Sequence, residues 1–350
     1  MKAVPRIVAF IAFAFVAATG QAQQHRGLNL YFADTEGGAA TLIVAPTGES
    51  ILIDDGNPGT RDAERIAKLA KFAGVKQIDN LIITHWHLDH YGGTGELAKL
   101  LPIKRFFDRG IPEAAQSDDP ANFPTLIAAY NAASGGKSVT LNPGSLVPLK
   151  PDNRSVNFLR LMCLCARGEV KSSIENRDNL IPAEDPNPMP ADPSDNAKSL
   201  GFLLSYGKFS FIDLGDLTWN IEYKLAREFN PRPVDVYQST HHGLNISNNP
   251  ILIAALQPAV AIYNNGAHKG GHPNLTRTLR SLKGLKAIYQ MHKNLNPNED
   301  VNAPTDFIAN SEDEAHCKGE FIRLSVAPDS LSYTVQIGEK GKARKYMTKR

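Results

Sequence analysis

Cysteine is scarce in this chain: Cys163, Cys165 and Cys317 are the only three in 350 residues, and none form a C-x-x-C pair. That argues against a disulfide-stapled scaffold and against a thiolate metal centre. Cys163 and Cys165 lie two apart on a predicted strand, and the odd count leaves one thiol over in any disulfide pairing. Buried thiols are the simpler reading. Excess charge is also missing: the net charge is +2, so overall charge recruits no partner. Long apolar runs are absent beyond the N-terminus, which leaves no integral membrane segment in the mature chain. Histidine is absent from position 91 to position 240.

The one apolar run explains itself. Lys2 and Arg6 precede an almost wholly apolar stretch from Ile7 to Ala18, and Gly20-Gln21-Ala22 supplies small residues. This is the pattern of a signal peptide over 1–22, cut after Ala22. The mature protein is expected to be periplasmic or secreted. Residues 25–338 read as one domain, with a loop of five prolines at 182–193 inside it. Residues 339–350 read as a basic, frayed tail able to touch nucleic acid or anionic lipid. The sequence sets no oligomeric state.

Against the absent central histidines stands a cluster just before the gap. His85-Trp86-His87-Leu88-Asp89-His90 follows the apolar run Leu81-Ile82-Ile83. On extended backbone, His85 and His87 project to one side and can chelate one ion. Asp89 and His90 can turn toward a second. Imidazole and carboxylate without thiolate suit Zn2+, with Mn2+ or Fe as alternatives. Tyr91-Gly92-Gly93 lets the chain turn tightly behind the ligands.

Hydrophobic periodicity predicts hairpin strands over 28–54, a helix over 61–73, and the strand that delivers the histidines. Beyond the Pro-rich loop, strands and helices alternate to about residue 290. This is an α/β pattern with two similar β-rich halves. Two later strands end in ligand-type residues: Phe211–Asp213 runs into Gly215-Asp216, and Val234–Ser239 runs into Thr240-His241-His242-Gly243.

Asp54 before Gly56, H-x-H-x-D-H, Gly215-Asp216 and His241-His242-Gly243 resemble, in that order, the metallo-β-lactamase-fold hydrolases. Ser199-Leu200-Gly201-Phe202, Pro258–Ile262 and Gly271-His272-Pro273 are similar to the ComEC-type competence-protein branch. The resemblance covers roughly 28–336. It implies an αββα four-layer sandwich with metals at one edge between two sheets. It implies His85 and His87 on a first metal, Asp89 and His90 on a second, and Asp216 bridging. His241 is favoured as the last ligand of the second metal, with His242 as its supporting partner. Asp54 is implied to brace the histidine loop.

One departure follows from the histidine gap. Many such proteins place a further histidine on the first metal, in a region that here reads Asp195-Asn196-Ala197-Lys198-Ser199. The first metal then keeps His85, His87 and Asp216 alone, or Asn196 ligates through its amide oxygen; the Ser199 position also matches the competence-protein branch. A true β-lactamase is disfavoured on this count.

The resemblance implies a metal-bound hydroxide, oriented by Asp89 and Asp216, acting on a small-molecule or phosphodiester substrate. A phosphoester is favoured, in nucleic acid, a nucleotide or the cell envelope. His272 is a candidate proton donor, and Asn265 and Lys269 are candidates to hold an anionic substrate; turn chemistry or solvation explains these three equally well. The alternatives are a β-lactamase or lactonase, a non-catalytic member that binds a ligand or partner, and a DNA-processing module.

Overall fold

The computed structural model describes residues 27–152, 156–172, 181–296 and 301–349. The signal-peptide expectation lies outside them. Two sheets carry the fold. In the first, the neighbours run Arg344–Met347, Ser332–Ile337, Ile322–Val326, Leu28–Phe32, Thr41–Val44, Ser50–Ile53, Asn80–Ile82, Phe106–Asp108 and Ser138–Thr140. In the second they run Ile308–Asn310, Ala287–His292, Val260–Tyr263, Val236–Gln238, Phe209–Asp213, Gly201–Tyr206, Leu159–Ala166 and Glu169–Val170.

Each sheet is antiparallel on one side and parallel on the other. In the first the change comes at Ser50–Ile53, which pairs antiparallel with Thr41–Val44 and parallel with Asn80–Ile82. In the second it comes at Phe209–Asp213, antiparallel to Gly201–Tyr206 and parallel to Val236–Gln238. The parallel strands need crossovers, and helices supply most of them: Thr60–Phe72, Thr94–Leu100 and Phe123–Ser134 in the first sheet, and Trp219–Phe229, Pro250–Leu256 and Pro273–Arg280 in the second.

Three apolar clusters define four layers. Ile51, Ile53, Ile82, Phe202, Phe211 and Val260 meet between the sheets. Ile66, Leu69 and Ala70 of the first helix pack with Leu52, Leu81 and Ile83 on the outer face of the first sheet. Leu225, Leu252 and Leu279 pack with Ile212 and Ala261 on the outer face of the second. The expected αββα sandwich is what the chain forms. Cys163 lies in the inter-sheet core and Cys165 in the outer cluster, and all three cysteines are free.

The C-terminal reading is corrected. Residues 339–350 were expected to fray, yet Arg344–Met347 pairs antiparallel with Ser332–Ile337 as an edge strand. Side chains anchor it: Tyr346 stacks on Tyr333 and bonds the Tyr289 hydroxyl, and Arg344 lies over the Phe307 ring. Of the cations that read as a solvated tail, Arg344 and Lys345 sit on this edge strand, where charge discourages further pairing. No helix among the described residues is long and apolar enough to cross a membrane.

Candidate metal centre

The carboxylate of Asp216 is the hub. It stands on the turn after Phe209–Asp213, where Gly215 takes φ +54 and a Cβ would press on Thr84 at 3.0 Å. Its Oδ2 lies 3.2 Å from Nε2 of His90, 3.2 Å from Nε2 of His242, 3.4 Å from Nε2 of His241 and 3.9 Å from Nε2 of His85. His242 Nε2 is also 3.3 Å from Asp89 Oδ2 and 3.3 Å from His90 Nε2. His90 Nε2 is 3.7 Å from Asp89 Oδ2. Ligand atoms about 2.1 Å from one tetrahedral ion stand roughly 3.4 Å apart. Asp89, His90, Asp216 and His242 fit that spacing, with every ligand atom within 4.8 Å of the others.

His85 and His87 form the other side. Nε2 of His85 and Nδ1 of His87 face each other at 3.1 Å, as two ligands of one ion would. Both arrive as expected, from the end of the buried run after Asn80–Ile82. Gly92 and Gly93 have ordinary negative φ, so turn freedom is not their reason. A Cβ on Gly93 would sit 2.1 Å from the Asp55 carbonyl oxygen, so what that position requires is a close backbone approach.

The His241 expectation changes here. The structure brings His242, rather than His241, beside Asp89 and His90. The cause is backbone conformation: both residues adopt left-handed φ, 53° and 55°, and the two rings reach Asp216 separately. Such non-glycine positions cost about 1–3 kcal/mol each and persist only where the surroundings hold them. Asn248 does so by donating to the Thr240 and Leu244 carbonyls.

Each of these five imidazoles has its outer nitrogen engaged. His90 Nδ1 is 2.7 Å from Asp54 Oδ2, and Asp54 also accepts from the Thr84 amide and hydroxyl. His85 Nδ1 meets Thr84 Oγ1, His241 Nδ1 meets Ser247 Oγ, and His242 Nδ1 meets the Asn264 carbonyl. His87 Nε2 lies 3.3 Å from Asp118 Oδ2. An outer partner fixes tautomer and ring orientation and leaves the inner nitrogen free to bind.

Electrostatics prepare the same groups. Burial alone would raise Asp216 and Asp89. His242 and His90 outweigh it at Asp216, and His90, His242 and Lys269 at Asp89, so both stay ionised well below the usual range. Burial holds His85 well below its ordinary value and brings His241 to about 4, so both present neutral lone pairs.

A second grouping differs in kind. His292 Nε2 lies 2.7 Å from Asp34 Oδ1, and Cys317 Sγ donates to Asp34 Oδ2 at 2.9 Å. These are hydrogen-bond distances, Arg65 also bonds Asp34, and His292 Nδ1 has no hydrogen-bond partner among the described residues. This is a buried brace joining three chain segments.

The remaining expected residues separate. Ser199 Oγ accepts from the Asp216 amide at 3.3 Å, and Asn196 is buried beside it in sequence. Lys269 Nζ reaches Asp89 Oδ2 at 2.5 Å from the opposite loop and is 39% exposed. Asn265 is turned to structure: its amide donates to the Gly266 and His292 carbonyls. His272 caps the helix Pro273–Arg280, its Nδ1 accepting from the Asn274 amide. His-Pro at a helix start is itself a capping signal. Three supporting residues escaped sequence reasoning. Asp118 holds His87, Asp195 accepts from the Trp86 amide at 2.7 Å, and Arg109 pairs with Asp195.

Comparison with known proteins gives three points of reference. Residues 33–143 match the metallo-beta-lactamase superfamily. The chain is 27% identical over 210 residues to ComE operon protein 3 of Bacillus subtilis (strain 168), covering 60% of this chain and 23% of that protein. It is 39% identical over 66 residues to a UPF0173 metal-dependent hydrolase of Koribacter versatilis, covering 18% of this chain and 25% of the other. The chain spans about a quarter or less of the length of the curated relatives it matches. Among solved structures, the metallo-beta-lactamase fold protein YhfI from Bacillus subtilis is similar at TM-score 0.44 and 12% identity, over 75% of this chain and 95% of that one.

Proposed function

We propose that this chain, which carries a metallo-beta-lactamase superfamily domain, is a metal-dependent hydrolase acting on a phosphodiester or another phosphoester. The observation that carries the reading is the set of ligand atoms around Asp216. Asp89, His90, Asp216 and His242 offer two imidazole nitrogens and two carboxylates at coordination spacing. The donors are nitrogen and oxygen, which suits zinc, and manganese or iron as alternatives. His85 and His87 face the other side of Asp216 and would hold a first ion, with His90, His242 and Asp89 holding the second.

A bound divalent ion supplies Lewis acidity and a water that ionises near neutral pH. The chain's own residues do the rest. Asp54, Thr84, Asp118, Ser247 and the Asn264 carbonyl hold the rings so that little reorganisation is needed. Asp89 and Asp216 are ionised and accept hydrogen bonds from whatever nucleophile occupies the centre. Lys269 places a half-exposed ammonium at the rim, beside Asp89, where it can pair with a phosphoester anion. This cation favours an anionic substrate such as a phosphoester over a neutral lactone. His272 would serve as proton donor only by leaving its capping position, so we assign it no catalytic step.

The basic start, apolar run and small residues of 1–22 support export to the periplasm or outside the cell. The test of function is a substrate panel on metal-loaded protein: bis-p-nitrophenyl phosphate, nitrocefin and a homoserine lactone. The expected result is turnover of the phosphodiester alone. Nitrocefin or lactone turnover without phosphodiester cleavage would move the protein to the lactamase or lactonase class. No turnover together with metal-free protein would make it a non-catalytic member of the fold.

A further inference from the structure

We infer that the side-chain amide oxygen of Asn196 completes the first metal position, so that this position carries an oxygen where a third imidazole would otherwise stand. The inference rests on the metal reading above. Two buried acceptors, Oδ1 of Asn196 and Oδ1 of Asp216, make no hydrogen bond with the described residues. Asn196 is 7% exposed and Asp216 is 2% exposed. An unsatisfied buried acceptor costs about 1–3 kcal/mol, so two together need a reason.

Both flanks of Asn196 are tied to the first position. On one side, Asp195 Oδ2 accepts from the amide of Trp86, the residue between His85 and His87. Asp195 also donates its amide to Asp118, whose carboxylate holds the outer nitrogen of His87. On the other side, Ser199 Oγ accepts from the amide of Asp216. The short helical turn Asp195–Lys198 is therefore pinned between the two histidines and the shared carboxylate. The buried pair of Arg109 with Asp195 locks it further.

The resulting ligand sets differ. The second position has two imidazoles and two carboxylates. The first has two imidazoles, one carboxylate oxygen and one neutral amide oxygen, a harder and weaker donor than imidazole. Ions would therefore load in order, second position first. His241 is the competing ligand, since its Nε2 is 3.4 Å from Asp216 Oδ2.

The test is calorimetric titration of metal-free full-length protein with zinc chloride, with thermal melts to confirm folding. Wild type is expected to show a tight step and then a weak one. Asn196→Leu should keep the tight step and weaken the other at least about tenfold. Asn196→Asp and Asn196→His should each strengthen the weak step, and these variants decide the matter if the leucine variant does not fold. His241→Leu should retain both steps. Two unchanged steps in every Asn196 variant would overturn the inference while leaving the metal reading intact. Loss of the weak step in His241→Leu alone would give the position to His241. Protein that binds no zinc would overturn the metal reading itself, and this inference with it.

Discussion

Oδ2 of Asp54 stands 2.7 Å from Nδ1 of His90, a contact between residues 36 apart in sequence. It fixes which nitrogen of His90 faces Asp216. Asp54 itself takes φ +59 and is held by the Thr84 amide and hydroxyl, so strain on one strand end orients a ligand on the next. Asp54→Asn is expected to fold and to bind its tightest metal about 10–100-fold more weakly. Competition with a chromophoric chelator measures this. Unchanged affinity would show that the brace is irrelevant to binding.

The Arg109–Asp195 pair is buried on both sides, at 5% and 7% side-chain exposure. Removing one partner leaves the other charge uncompensated, which typically costs about 3–5 kcal/mol. Arg109→Met should lose stability of that order in urea unfolding. Arg109→Met with Asp195→Asn should recover part of it, because the asparagine oxygen can still accept from the Trp86 amide. A single variant as stable as wild type would contradict the assigned role.

Glu222 gives the pH dependence. It is fully buried in the helix Trp219–Phe229 and accepts from the Asn249 amide, and burial pushes its carboxyl up to about 8. The folded protein then binds more protons than the unfolded chain between about pH 4.5 and pH 8. Stability attributable to this group is therefore full below that window and falls as pH rises through it. The slope is at most about 1.4 kcal/mol per pH unit. Glu222→Gln should flatten the decline of Tm between pH 5 and pH 8. A variant whose pH profile parallels wild type would refute the assignment.

Lys269 tests the substrate class. Lys269→Ala should leave metal content unchanged and raise KM for a phosphodiester by about tenfold, close to 1.4 kcal/mol. An uncharged carboxylic ester cleaved at the same centre should show no such rise. Equal effects on both substrates would mean that Lys269 acts through Asp89 rather than on the substrate anion.

How much of this was legible depends on distance along the chain. His85, His87, Asp89 and His90 are contiguous and follow one apolar strand, so pattern alone finds them. The two sheets were legible in outline because alternation marks their long strands. The short edge strands Ser138–Thr140, Glu169–Val170 and Arg344–Met347 carry too few residues for a pattern. The order of His241 and His242 was not legible, because left-handed φ at two adjacent non-glycine residues is set by their surroundings. Asp118 escaped notice because it sits in an irregular segment, and so did the bracing role of Asp195, because both matter only through His87 and Trp86. Asn265 and His272 looked functional as loop polar residues, yet their side chains satisfy backbone groups.

The most direct measurement is the rate of bis-p-nitrophenyl phosphate hydrolysis by metal-loaded protein, with and without the paired substitutions Asp89→Ala and His90→Ala. The account predicts chelator-sensitive turnover in the wild type. It predicts none above background in the double variant, which should also lose its tight metal step. Full activity in the double variant would contradict a hydrolytic centre at Asp89, His90, Asp216 and His242.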